Sequence, residues 1–210
     1  MKNDPSMLEE ELNKLEVVSK STIGLGRKML ETHAIYRFDL YCGAVLNRTI
    51  NLVEGFSKQV RDSNFISAAP LVRIHLDSPL RLFAAYQVDY NIHDFAEKIM
   101  SGQQIDKLKD RHGQQMKDAY LAKQLSAKKG YNWVMTIYQT GSSHIHFSST
   151  HIFDSVRTLN DSRQIEGIIE LGDSFISVSE KVWATKAMTQ ITLGIKEYIS
   201  IWIKYKNGLK

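Results

Sequence analysis

His144, His146 and His151 fall within one short run, Gly141-Ser142-Ser143-His144-Ile145-His146-Phe147-Ser148-Ser149-Thr150-His151. Imidazole titrates near neutral pH, so such a cluster can bind a metal, move a proton or contact a phosphate. Two geometries compete. An extended run puts His144 and His146 on one side, where an H-x-H pair could share a metal. A helical run capped by Ser142 or Ser143 aligns His144, Phe147 and His151 and leaves His146 off that stripe. No HExxH, EF-hand or His/Cys finger spacing occurs. Cys42 is the only cysteine, which excludes an internal disulfide and a cysteine-rich metal centre. We therefore assign no metal and no cofactor.

A second set of residues is spaced for one helix face. Arg73, Asp77 and Arg81 recur at i, i+4 and i+8. Their neighbours, from Leu71 to Tyr86, are apolar in almost every direction, so the helix is predicted to be central and the three charges mostly buried. Buried charges need partners. Asp77 compensates one arginine and leaves a positive charge, to be met by Glu54 on the preceding helix or by an anion in a cavity. The structural reading is an ion network. The functional reading is a phosphate site. There Arg73 and Arg81 hold the anion, Asp77 orients them, and His144 or His146 acts as general acid or base. Ser148, with Ser142 and Ser143, would hold the histidines, and His151 would support them.

The elements that must position these residues read as helices. Asp4 and Pro5 form a start signal, and Leu8, Leu12, Leu15 and Val18 make an apolar stripe. Gly24-Leu25-Gly26 reads as a joint. A long helix over 33–61 buries Ile35, Phe38, Tyr41, Val45, Ile50, Val53 and Phe56. The central helix spans 65–90, bent by Pro70 and Pro79. Helices are also expected over 116–125 and 131–139, with charged surface at 107–117. Gln164–Leu171 suggests a short strand and Gly172-Asp173 a turn, so one small β-hairpin could lie between 148 and 176. Ser177 and Glu180 fit a capping box before a strong helix carrying Ala184, Met188, Ile191, Ile195, Tyr198 and Trp202. Lys196, Lys204, Lys206 and Lys210 read as solubilising charges.

These patterns predict an all-α, single-domain helical bundle over residues 1–210. A chain of 210 residues can bury a core without staples. The N-terminus lacks a secretory core and no stretch suits a bilayer, so a cytoplasmic, membrane-free protein is expected. A net charge of +4 and a pI near 9.0 permit nucleic-acid contact without demanding it.

The segments Leu71–Ala85 and Tyr138–Ser148 resemble recurring segments of uncharacterised bacterial all-helical proteins, which implies an all-helical fold and no particular activity. A more distant resemblance is to HEPN-type helical domains, which include metal-independent ribonucleases of toxin and phage-defence systems. Their mark, an arginine followed four to six residues later by a histidine on one helix, is not met at Arg73, which precedes His75, or at Arg111, which directly precedes His112. Two functions follow as expectations. One is an RNA-directed, metal-independent ribonuclease using His144, His146, Arg73 and Arg81. The other is a non-catalytic interaction or scaffold protein that forms a homodimer through the C-terminal helix around Trp202.

Overall fold

Helical periodicity and capping turn the chain into a bundle. The computed structural model describes residues 5–31, 34–159 and 164–208. Within them the α-helices are α1 (Pro5–Leu30), α2 (Arg37–Arg61), α3 (Phe65–Ala85), α4 (Ile92–Met100), α5 (Asp118–Ser126), α6 (Trp133–Ser143), α7 (Ser149–Phe153) and α8 (Val178–Asn207). A 3₁₀ turn covers Ile105–Lys107. Strands β1 (Val156–Leu159) and β2 (Gln164–Gly167) pair antiparallel, with Val156 opposite Gly167 and Leu159 opposite Gln164. The fold is an all-α bundle carrying one small hairpin, and no described helix is long and apolar enough to cross a membrane.

Helix α3 is the axis. It packs against α2, α5, α6 and α8. Val72, Leu76, Leu80, Leu82, Phe83 and Ala84 are all buried, which an all-round apolar helix requires. Pro70 and Pro79 both lie inside it. Pro79 has no N–H to give the carbonyl of His75. One residue earlier, Arg48 of α2 donates to the carbonyl of Ile74 at 3.0 Å and braces this stretch from outside. The helix stops at Ala85, short of the expected Tyr90. Asn91 then caps α4, its side chain accepting from the His93 N–H at 2.7 Å.

Helix α1 has no joint. It continues through Gly24 and Gly26 to Leu30. A Cβ at Gly26 would lie 3.3 Å from Leu46 Cδ1, so this glycine serves close approach to α2. Helix α2 begins at Arg37, later than expected, where the Asp39 carboxylate accepts the Tyr36 N–H at 2.8 Å. Ile35 thereby lies before the helix and is exposed, against the expected burial. Asp4, expected to cap α1, and Lys210 lie outside the described residues.

Helix α8 runs parallel to α1. Lys196 Nζ donates to Ser21 Oγ at 2.6 Å, and Lys206 Nζ to the Met29 carbonyl at 2.9 Å. Ser177 caps α8, its Oγ accepting the Glu180 N–H at 3.2 Å. Along the stripe Ala184, Met188, Ile191, Ile195 and Trp202 are buried and Tyr198 is half-buried. Trp202 is only 1% exposed and donates to Asp39 Oδ1 at 2.7 Å, so it is core and not the expected dimer surface. Lys206 is likewise not a solubilising charge. It is buried and pairs with Asp39 at 2.7 Å.

Candidate functional site

The arginine stripe of α3 meets α5 and α6. Arg73 Nη1 donates to Asp77 Oδ1 at 2.5 Å and Nη2 to Asp118 Oδ2 at 3.1 Å. Arg81 Nη2 donates to the other oxygen of Asp118. The Arg73 guanidinium also lies over the Tyr138 ring, 4.5 Å from its centroid, a favourable cation–π placement. Its side chain is 9% exposed, while those of Asp77, Arg81 and Asp118 retain partial access to solvent. Burial alone would lower the Arg73 pKa, but the bonds to Asp77 and Asp118 outweigh it and raise the pKa. Two arginines face two carboxylates, so this network is charge-balanced.

Glu54 does not supply the balance. It pairs with Lys58 at 3.0 Å on an exposed part of α2. Asp118 takes that role, and the surplus charge of the stripe was the signal for a further carboxylate or an anion beside it. Asp118 opens α5, directly after the charged segment read as plain surface. That placement brings its carboxylate under α3.

The histidine segment is neither one strand nor one helix. Helix α6 ends at Ser143 with His144 as its C-cap, and a turn leads to α7. Ser142 and Ser143 therefore close a helix instead of capping a new one: their hydroxyls donate to Tyr138 O and Thr140 O. Ser148 is the cap. Its Oγ accepts the Thr150 N–H at 3.3 Å and donates to Ser143 O at 2.8 Å, and its N–H donates to His151 Nδ1 at 3.3 Å. His144 and His151 come together with ring centroids 6.4 Å apart. His146 is exposed on the turn.

His144 is buried and faces a cavity of about 280 Å³ with Phe65, Val72, Thr140, Gly141 and Glu180. Burial lowers its pKa, Asp154 pulls it up, and His151 pushes it down. Burial raises the pKa of Asp154 and of Glu180. The site therefore favours neutral imidazole and resists carboxylate charge.

The two clusters are separated by the crossing of α6 over α3. At Gly141 an added Cβ would stand 3.0 Å from Arg73 Cβ, so the helices touch there. Tyr138, one turn before the crossing, carries the guanidinium. His144, one turn after it, packs beside Phe65 at 6.3 Å between ring centroids. Asp77 and Arg81 line a different cavity, between α2, α3 and α4. The structure thus unites Arg73, Asp77 and Arg81 with Asp118, and His144 and His151 with Ser148, as two sites. Among the described residues, no three His, Cys, Asp or Glu side chains gather to hold a metal ion.

No family model, curated protein or solved structure matches this chain.

Proposed function

We propose that this chain is a non-catalytic helical interaction protein that acts as a homodimer, with the described residues of 145–159 and 164–171 as the contact surface in place of α8. The observation that carries this reading is the number of large apolar side chains that this segment leaves exposed. Phe153 is 72% and Ile165 71% exposed, and Phe147, Ile169 and Leu171 are also open to solvent. Exposed apolar surface concentrated in one part of a chain marks an interaction site. Beyond its own pairing, the hairpin packs mainly on α7. A two-stranded hairpin is marginal in water without further strands or a packed face. A second copy supplies both, because an antiparallel edge is its own partner across a two-fold axis.

Light scattering at micromolar concentration tests this directly. The expected mass is about 48 kDa, twice the 24.0 kDa of one chain. The double variant Phe153→Asp, Ile165→Asp should give 24.0 kDa and keep the helical circular dichroism of the fold, since both side chains are exposed in the single chain, while its thermal midpoint falls by what dimerisation had contributed. A monomeric wild type would reject the reading.

An RNA-directed, metal-independent ribonuclease is the competing proposal. It asks His144 or His146 to transfer a proton at a phosphate held by Arg73 and Arg81. Both arginines are already neutralised by carboxylates and His144 faces a separate cavity, which favours the non-catalytic reading. RNA cleavage in the presence of a chelator, lost in folded His144→Ala, His146→Ala and Arg73→Ala variants, would reverse that preference.

A further inference from the structure

A cavity of about 850 Å³ opens between α2, α3 and α4. Leu40 and Val45 line it from α2 and Ile99 from α4, while Arg48, Asp77, Ser78 and Arg81 form a polar end. The volume lies in the range of small-molecule sites, which pair apolar walls with a few placed polar groups.

Two polar atoms at this end are unpaired. Ser78 Oγ and Arg81 Nη1 are buried and have no hydrogen-bond partner. A guanidinium can only donate, so an incoming group must bring an acceptor oxygen. Both atoms are closed off from solvent as they stand, so they pair with a ligand only when their side chains turn toward the cavity, and Arg48 is the exposed donor of the polar end.

The charge points the same way. Arg73 and Arg81 balance Asp77 and Asp118. Asp106, also on the lining, is beside Lys107 at 3.4 Å. Arg48 is left over: its guanidinium donates to the neutral carbonyl of Ile74. An anionic oxygen group therefore fits the polar end, and hydrocarbon fits the walls. We infer that this cavity binds a small carboxylic acid with an apolar body, its carboxylate set on Arg48 at the polar end, beside Ser78 and Arg81. The site is built by one chain and does not depend on dimerisation.

Calorimetric titration with octanoate, octanol and octylamine tests the inference. Octanoate should bind saturably, one per chain, and the alcohol and the amine roughly tenfold or more weakly, since a charged hydrogen bond is replaced or repelled. Arg48→Gln should weaken octanoate about tenfold and leave octanol unchanged, while Arg48→Lys keeps the charge and retains most of the affinity. Ala44→Trp, at an exposed position on the lining, should fill the mouth and abolish binding. Circular dichroism confirms that each variant is folded. Absence of saturable octanoate binding, equal binding of octanol, or wild-type affinity in folded Ala44→Trp would each overturn the inference.

Discussion

Asp118 holds two arginines and Asp77 holds one, so their losses should differ. Asp118→Ala strips Arg81 of its carboxylate and leaves Arg73 with a single partner. Breaking a fully buried pair costs about 3–5 kcal/mol, and partial exposure reduces that to roughly 2–3 here. Asp77→Ala leaves Arg73 still bonded to Asp118 and should cost about 1–2 kcal/mol. Urea denaturation of the two variants checks the order. His75 gives a second residue-level expectation. It is fully buried, and its Nε2 lies 3.0 Å from Thr192 Oγ1. That hydroxyl donates to Met188 O, so Nε2 carries the proton and Nδ1 is a bare, unpartnered lone pair. Burial, with Arg48 adding to it, pushes the His75 pKa down to about 3. Because the folded value lies below the ordinary 6.5, the unfolded chain takes up the proton first. The stabilisation is whole above pH 6.5 and drains as pH falls toward 3, by about 1.4 kcal/mol per unit. A His75→Leu variant should therefore lose less stability than wild type between pH 6 and pH 4. Parallel curves from chemical denaturation would contradict this.

At the scale of elements, two glycines in helices should respond in opposite directions. A Cβ at Gly24 would meet nothing within 4 Å, and α1 is continuous there, so Gly24→Ala should stabilise by about 0.5–1 kcal/mol. A Cβ at Gly141 would meet the Arg73 backbone and Cβ, so Gly141→Ala should push α6 off α3 and destabilise by about 1–3 kcal/mol. Thermal melts of both variants measure the signs. The same pair shows what was legible in the sequence. Gly24-Leu25-Gly26 read as a joint because a glycine signals either backbone freedom or close approach, and only the neighbouring helix decides which. The Ser177 cap, the hairpin and the burial of α3 were legible because local spacing encodes them. Asp118 was not, because its bonds to Arg73 and Arg81 span more than one helix of intervening chain. The histidine segment failed for a related reason: a helix end and a helix start meet inside it, and either period alone describes half. Lys206 misled because its charge resembles that of its exposed neighbours, while its depth is set by Asp39.

For the whole molecule, the buried pair Lys206–Asp39 ties three helices at one end. Lys206 Nζ also bonds the last turn of α1 through Met29 O, and Asp39 holds the Trp202 indole and the start of α2. Lys206→Met should cost about 3–5 kcal/mol, because it leaves a carboxylate buried without its cation. A loss below about 0.5 kcal/mol in denaturant titration would mean the pair is surface-like. The parallel lie of α1 against α8 has a further outcome, in biosynthesis. About 150 residues separate the two helices, which at 5–20 residues per second is roughly 8–30 s of translation. Through that interval Leu12 and Leu15, buried in the finished bundle, wait without the helix that covers them. The nascent chain presents an apolar stripe to the folding machinery it meets until Trp202 and Lys206 have emerged, so its yield in cells should depend on chaperone supply more than its final stability would suggest.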